Sequence, residues 1–282
     1  MVKKGQFDLR NIDDLVVRDS LSAISALESY PNSADSSLIV GGIAVQSYMA
    51  SRLRRGTSDI DVVVAKALVT GGDFKEFVKP LVEYFKDNNF SVEEDEKSTS
   101  WNIIPTSKKN GRYQREESTL LSFSKHKTRK DFEKKQFLIE KEMDDSRIHY
   151  IEKGEGSYRA LSPEYIIVPK FGRLGSILSR QHKLKELIMP LMGEVSEQQV
   201  NDTQTILKGK RLGSTEKSVL GDGFDIRMLA EQAGINEGKL KEAMGLWPDK
   251  KNLKAVLRNR EILGLIPHIQ GLESALYMIQ GS

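Results

Sequence analysis

Residues 38–44 read LIVGGIA, and residues 55–64 read RGTSDIDVVV. The first segment is an apolar run that breaks at a glycine pair, which predicts a short buried strand over 38–40 and a helix over 43–53. The second segment is rich in β-branched residues and predicts a strand over 59–64. Its two aspartates, Asp59 and Asp61, stand at positions i and i+2, which share one face of a strand.

Two carboxylates on one face of a strand supply the hard oxygen ligands that a divalent cation such as Mg²⁺ prefers. Gly41 and Gly42 have no Cβ, so their backbone can approach a phosphate group closely. Metal ligands beside a phosphate contact indicate chemistry on a nucleotide. Taken singly, each signal has a plainer interpretation: a tight turn for the glycine pair and surface exposure for the aspartates.

The order of these elements resembles the DNA-polymerase-β-like nucleotidyltransferase superfamily, in which a Gly-Gly pair opens a helix and Asp-x-Asp follows on the next strand. The extended pattern, Gly-Gly-x-Ala and then Arg-x-Thr-x-Asp-Ile-Asp, looks like the AbiE-type (AbiEii-like) nucleotidyltransferase toxin branch. Residues 161–170, LSPEYIIVPK, resemble a segment that brings a lysine to the nucleotide in that branch. The matching positions of the main pattern are Gly41, Gly42, Ala44, Arg55, Thr57, Asp59 and Asp61.

The predicted elements divide the chain into an α/β domain over 1–160 and an all-helical C-terminal domain over 161–282. The resemblance implies that the first is the catalytic domain, with a mixed sheet flanked by helices. It implies an enzyme that moves a nucleoside monophosphate from ATP or another NTP to an acceptor, with RNA, including tRNA, as the acceptor of toxin-type relatives. An antitoxin-type protein is then an expected partner. Asp59 and Asp61 would hold Mg²⁺, and the implied nucleotide contacts are Gly41, Gly42, Arg55, Thr57 and Lys170.

A third carboxylate, which the superfamily usually supplies from a later strand, is not found in the sequence. The best counterpart by position is residues 119–124, TLLSFS, which contain no acid. Two further hypotheses therefore stay open. The chain could be a catalytically inactive regulator that binds a nucleotide or nucleic acid, or a transferase that modifies small molecules of the antibiotic type. For Lys170, the alternative to a nucleotide contact is a lysine whose aliphatic part packs on an apolar helix while its ammonium group reaches water.

The composition limits the class of protein and its location. The chain has 282 residues, of which 38% are hydrophobic and 29% charged, with a net charge of +3. These values predict a folded protein with one large domain or two ordinary ones. There are no cysteines, which excludes disulfides and thiolate chemistry and favours a cytoplasmic location. The N-terminal residues lack the apolar run of a secretory signal, and no segment is apolar for long enough to cross a membrane, so we expect no membrane partner.

Two segments suggest contact with nucleic acid, each with a plainer alternative. Residues 125–135, KHKTRKDFEKK, are strongly basic, which suits a phosphate backbone or a solvated helix face. Residues 225–240 have the spacing of a helix-turn-helix, which also occurs in ordinary helical bundles.

Periodicity and turn residues predict the remaining elements. Pro80 predicts a kink or a late start in the helix that contains it, and Gly221 and Gly223 predict helix boundaries. The Asn110-Gly111 pair predicts a hairpin turn. The strands are predicted over 90–92, 101–104, 119–123 and 148–151, and the helices over 12–30, 74–88, 129–145, 163–178, 180–191, 196–208, 225–233, 237–245, 250–259 and 270–280.

Overall fold

The computed structural model describes twelve parts of the chain. Predictions that lie outside them include the helices over 12–30 and 270–280, the Asn110-Gly111 turn, and the site residues Arg55 and Thr57. The described parts are residues 6–7, 37–50, 53, 59–64, 71–87, 90–96, 100–107, 120–124, 129–151, 157–193, 195–209 and 211–267.

The chain divides into two compact units. One consists of residues 1–47 and 56–162, and the other of residues 48–55 and 163–282. The first unit carries all the described strands and the second is helical where it is described, so the fold is mixed α/β. Within the described residues, no helix combines the length and the apolar character that spanning a membrane requires.

The first unit is built on a mixed eight-stranded sheet, ordered β1-β7-β8-β2-β3-β6-β5-β4. At its centre, β3 pairs antiparallel with β2 and parallel with β6. Leu38, Ile60 and Val62 are fully buried on these central strands, as expected for β-branched and apolar residues in a sheet interior. The strands are β1 (Gln6–Phe7), β2 (Ser37–Val40), β3 (Asp59–Val64), β4 (Phe90–Glu96), β5 (Ser100–Ser107), β6 (Leu120–Ser124), β7 (Arg147–Ile151) and β8 (Ser157–Ala160).

The predicted strands over 38–40 and 59–64 are confirmed. Strands β4, β5 and β7 are longer than predicted, and β6 has the predicted length but lies one residue later. The predicted strand over 90–92 continues to Glu96 as the sheet edge, where four exposed acidic residues (93–96) face solvent. Charged side chains on an edge strand discourage pairing with another chain. The short strands β1 and β8 were not predicted, because two to four residues carry too little alternation.

Three helices accompany the sheet: α1 (Gly41–Ser47), α2 (Gly71–Asp87) and α3 (Arg129–Asp144). The predicted extension of α1 to residue 53 is wrong: the helix ends at Ser47, where the chain passes to the second unit. The predicted late start at Pro80 is also wrong, since α2 begins at Gly71 and runs through the proline. Leu81 and Phe85 are fully buried on this helix, and this packing outweighs the single hydrogen bond that a proline removes.

The second unit is organised around α4 (Pro163–Leu178), of whose 16 residues 12 are buried. Burial of this extent places α4 in the core of its unit, where it packs against three of the helices that follow it, α6, α7 and α8. The helices after α4 are α5 (Glu197–Lys208), α6 (Ser214–Gln232), α7 (Glu237–Leu246), α8 (Lys250–Val256) and α9 (Arg260–Leu263), with 3₁₀ segments at His182–Leu187 and Met189–Leu191.

Three helix predictions in this unit are corrected. The segment over 180–191 forms two 3₁₀ segments, His182–Leu187 and Met189–Leu191; in the second, Pro190 has no N–H for an α-helical hydrogen bond. The helix predicted over 225–233 starts at Ser214 and includes Gly221 and Gly223. A Cβ at Gly223 would lie 2.6 Å from Ile188 Cγ2, so this glycine permits close packing and does not end the helix. The helix predicted over 250–259 ends at Val256 as α8, and a separate short helix, α9, begins at Arg260.

The helix-turn-helix spacing predicted over 225–240 is present as the end of α6, a turn at Gly234 and the start of α7. Gly234 has a φ of +69°, which favours glycine. The Asn236 side chain caps α7 by accepting the backbone N–H of Lys239 at 3.0 Å. The buried Glu164 carboxylate of α4 accepts the backbone N–H of Asn236 at 2.8 Å. This bond fastens the turn to the core helix of its own unit.

Candidate functional site

The glycine pair forms the junction between β2 and α1. Strand β2 ends at Val40 and the helix begins at Gly41 with no residue between them. Gly41 has a φ of +65°, a left-handed conformation that costs an L-residue with a Cβ about 1–2 kcal/mol. The conformation of the junction therefore requires glycine at position 41.

The Asp61 carboxylate lies directly against this junction. Asp61 pairs with Val40 in the antiparallel ladder of β2 and β3. A Cβ built on Gly41 would stand 2.2 Å from Asp61 Oδ2 and 3.1 Å from its Cγ, far inside van der Waals contact. Asp61 is half-buried. One carboxylate oxygen of Asp61 thus occupies the space that a side chain at residue 41 would fill. The structure therefore brings these two predicted site residues together.

Asp59 and Gly42 flank this contact in the sequence. Asp59 begins β3, two positions before Asp61, and pairs with Leu120 of β6. Gly42 is the second residue of α1 and is half-buried. The remaining predicted contacts on this side, Arg55 and Thr57, lie outside the described residues. The described part of the predicted motif is therefore assembled at the end of β2 and on β3.

The residue paired with Asp61 on β6 is Ser122, which belongs to the segment 119–124 where the sequence resemblance predicts a third carboxylate. Ser122 pairs onward with Asn102 of β5, and Asn102 pairs with Asp95 of β4. Paired residues lie on one face of a sheet, so these four residues form a polar row. Asp95 is three strand spacings of about 4.8 Å from Asp61, which is too far for both to bind one ion.

Asn102 is the buried member of the row, with 3% of its surface exposed. Its amide Nδ2 donates to Asp95 Oδ2 at 3.5 Å, and its Oδ1 has no hydrogen-bond partner in the described structure. Among the described side chains, no group of three or more His, Asp or Glu residues is placed to hold a metal ion. Of the predicted metal pair, Asp61 is the residue whose side chain the structure describes.

Lys170 lies in a different environment, within the helical unit. The lysine is 7% exposed on α4. Its Nζ donates to Asp222 Oδ1 at 3.0 Å and to Asp225 Oδ2 at 2.8 Å, both on α6. The guanidinium of Arg173 donates to both carboxylate oxygens of Asp222. Two cations and two anions form a cluster with no net charge, the usual state of buried ionised groups.

This four-residue cluster was not predicted as a unit. Lys170 and Arg173 stand at i and i+3 on α4, and Asp222 and Asp225 stand at i and i+3 on α6. Residues three apart share a helix face, so two pairs of opposite charge, one on each helix, are the signal that the sequence offered. The structure shows the predicted nucleotide contact Lys170 with two carboxylates as its partners. The described contacts of Lys170 give no support for a role in binding a nucleotide.

Comparison with known proteins gives no match: no protein-family profile fits the chain, and no curated protein is significantly similar to it in sequence.

Proposed function

We propose that this chain is a Mg²⁺-dependent nucleotidyltransferase that moves a nucleoside monophosphate from an NTP to an acceptor. The observation that carries the proposal is the Asp61 carboxylate packed against Gly41 at a left-handed strand-to-helix junction. The turn favours glycine, so its backbone is accessible to a phosphate group. The Asp61 carboxylate occupies the space of the missing side chain and supplies a hard oxygen ligand beside that backbone.

The roles proposed for the residues follow from their chemistry. Asp59 and Asp61 would hold Mg²⁺, which would offset the charge of the triphosphate as pyrophosphate leaves. The bare backbone of Gly41 and Gly42 would contact phosphate oxygens, with Arg55 and Thr57 as further contacts. The charge of Lys170 is balanced by two aspartates, so we assign this lysine first to the stability of the helical unit.

An RNA hydroxyl, including that of a tRNA, is the acceptor class that we propose, with ATP among the donors. The toxin-type sequence pattern and the basic residues 125–135 support it, since a phosphate backbone binds to basic segments. A cytoplasmic enzyme of this kind would be restrained by an antitoxin-type protein partner.

A specific observation also favours a second candidate, a regulator that binds a nucleotide without turnover. Ser122 pairs with Asp61 and belongs to the segment where a third carboxylate is expected, and a serine hydroxyl is a poor general base near neutral pH. In this alternative, the junction at Gly41 and Asp61 would bind the nucleotide, and no pyrophosphate would be released.

One experiment separates the two candidates. The purified chain is incubated with Mg²⁺, total RNA and each α-labelled NTP, and labelled RNA and pyrophosphate are measured. Asp61→Asn is expected to lower transfer at least about a hundredfold, as loss of a group that stabilises developing charge does. Glu94→Gln, an exposed acid on the edge strand β4, is the control and should leave transfer unchanged.

Calorimetry with NTP and Mg²⁺ completes this test. Binding that Asp61→Asn weakens, without any pyrophosphate release, would establish the regulator. Equal transfer by the wild type and Asp61→Asn would contradict the proposed role of this carboxylate in either candidate.

A further inference from the structure

The helical unit contains a cleft of about 300 Å³ between α4 and the corner that joins α7 to α8. This volume is at the low end of the range for small-molecule sites. The cleft is unrelated to any residue of the predicted metal pair. The residues that define its chemistry are Gly172, Arg173, Arg180, Trp247, Asp249 and Asn252.

Gly172 lines the cleft and adds no side chain to it. A Cβ placed on Gly172 would lie 3.9 Å from Nε1 of Trp247 and 3.7 Å from Cβ of Asn252, so the indole borders the space above this glycine. Trp247 is half-buried, which leaves part of its aromatic surface accessible. An aromatic surface beside an open space is a platform on which a planar base can stack.

Arg180 is the cationic side chain of the cleft that forms no ion pair with a described carboxylate, and Asp249 adds a carboxylate to the same cleft. Its Nε donates to the Ser176 carbonyl at 3.1 Å and its Nη2 to the Ser176 hydroxyl at 3.3 Å, and no described carboxylate pairs with it. Arg173, by contrast, is bound to Asp222. A guanidinium with free charge presents a fork of donors that matches a phosphate group.

The two polar residues on the opposite wall orient one another. Asp249 accepts the backbone N–H of Asn252 at 3.1 Å and its amide Nδ2 at 2.5 Å. The carboxylate can only accept hydrogen bonds, so it fixes the amide with nitrogen toward Asp249 and leaves Oδ1 of Asn252 as an acceptor. A free amide oxygen suits an exocyclic amino group, which adenine, cytosine and guanine carry and uracil lacks.

We propose that this cleft binds a nucleotide unit, with the base stacked on Trp247, its amino group at Asn252 and its phosphate on Arg180. The ligand class is a nucleoside monophosphate, either free or as one unit of a single-stranded RNA. The cleft is independent of the metal site, so this proposal does not require the transferase activity.

Fluorescence tests the proposal, because the chain has two tryptophans. Trp101→Phe leaves Trp247 as the sole emitter. The variant is titrated in EDTA with AMP, so that no metal-dependent binding at the aspartate pair contributes. We expect saturable quenching with a Kd of about 1 mM or below. The same titration with hexaadenylate distinguishes the sources: saturation by AMP alone assigns free nucleotide, and saturation by the hexamer assigns a unit of RNA.

Matched variants then locate the binding. Arg180→Gln in the same background should raise the Kd about tenfold, the effect of losing a charged hydrogen bond. Arg211→Gln, an exposed arginine that does not line the cleft, should leave it unchanged. Ribose 5-phosphate, which lacks the base, should bind at least about tenfold more weakly than AMP.

Calorimetry on chains that retain Trp101 measures the AMP affinities of the wild type and Arg180→Gln without relying on the Trp101 change. Absence of saturation with both AMP and hexaadenylate, equal effects of the two arginine variants, or equal binding of AMP and ribose 5-phosphate would overturn the assignment.

Discussion

The sheet-bearing unit and the helical unit both hold carboxylates away from water, but they accommodate them differently. Asp61 is half-buried against Gly41, where the absence of a side chain provides the space. Asp222 and Asp225 are at most 3% exposed on α6, and the cations of Lys170 and Arg173 balance them. A half-buried carboxylate such as Asp61 is accessible to a ligand. Carboxylates that are paired with buried cations, such as Asp222 and Asp225, mainly hold two helices together.

Removal of one anion from the helical cluster should have the largest effect. Asp225→Asn leaves Lys170 buried with only Asp222, which it shares with Arg173. Breaking a buried ion pair costs about 3–5 kcal/mol, so we expect a loss of this size in the free energy of unfolding, measured by urea denaturation.

The matched control for this variant is a surface pair of the same kind. Glu237 and Lys241 form an ion pair at 2.6 Å on α7, with side chains 39% and 37% exposed. Glu237→Gln should cost no more than about 0.5 kcal/mol. If the two variants cost the same, the cluster does not hold α4 and α6 together.

A side chain at the junction should have the next largest effect. Gly41→Ala places a Cβ where Asp61 Oδ2 lies and forces a left-handed φ on a residue that resists it. The two costs, about 1–2 kcal/mol for the conformation and about 1–3 kcal/mol for overpacking, predict a loss of about 2–5 kcal/mol.

Urea denaturation measures this loss, with Gly245→Ala as the control. Gly245 lies in α7 with no atom within 4 Å of a Cβ at that position, so alanine there should be neutral or stabilising by up to about 1 kcal/mol. Unchanged stability in Gly41→Ala would show that Asp61 can move away at no cost.

Two glycines of α4, one turn apart, test whether the stability of the helical unit also requires a missing side chain. A Cβ at Gly175 would lie 2.7 Å from the backbone oxygen of Asn252 and 3.0 Å from the backbone nitrogen of Val256. Backbone atoms of α8 cannot rotate away, so Gly175→Ala should cost about 1–3 kcal/mol.

Gly172→Ala is the opposite case, because its Cβ would make only ordinary contacts. We expect a gain of up to about 1 kcal/mol from the higher helix propensity of alanine. Thermal unfolding of both variants provides the comparison, and a loss of stability in Gly172→Ala would mean that the floor of the cleft is more tightly packed than described.

The smallest expected effect is a pH dependence at the surface of the helical unit. Burial alone would raise the pKa of Glu261, but its own backbone N–H, a hydrogen bond from Lys185 and the charges of Lys185 and His182 bring this pKa below the ordinary value of 4.5. A carboxyl with a lower pKa in the folded chain binds fewer protons there, so its stabilisation is complete above pH 4.5 and is lost as the pH falls through the folded pKa.

Stability curves of the wild type and Glu261→Gln between pH 3 and pH 7 measure this effect. The two curves should differ above pH 4.5 by a few tenths of a kcal/mol, as for a partly exposed ion pair, and converge at lower pH. Curves that stay parallel throughout would exclude Glu261 as the source.

Much of the sheet-bearing unit was predictable because its signals are local. The β-branched run over 59–64 and the apolar run before Gly41 fixed β2 and β3 within one residue. Elements determined by remote packing were predicted poorly. Gly223 looked like a helix end, yet it lies inside α6 because Ile188, 35 positions earlier in the chain, packs against it.

The amino-acid sequence by itself determined the glycine at the strand-to-helix junction and the spacing of the aspartates, because backbone conformation and strand alternation act over a few residues. Only the tertiary structure decided that Asp61 fills the space beside Gly41, that Ser122 is its neighbour on β6, and that Lys170 is paired with aspartates 52 and 55 residues away. Strand order and helix packing set these contacts, and both depend on burying apolar surface across the whole unit.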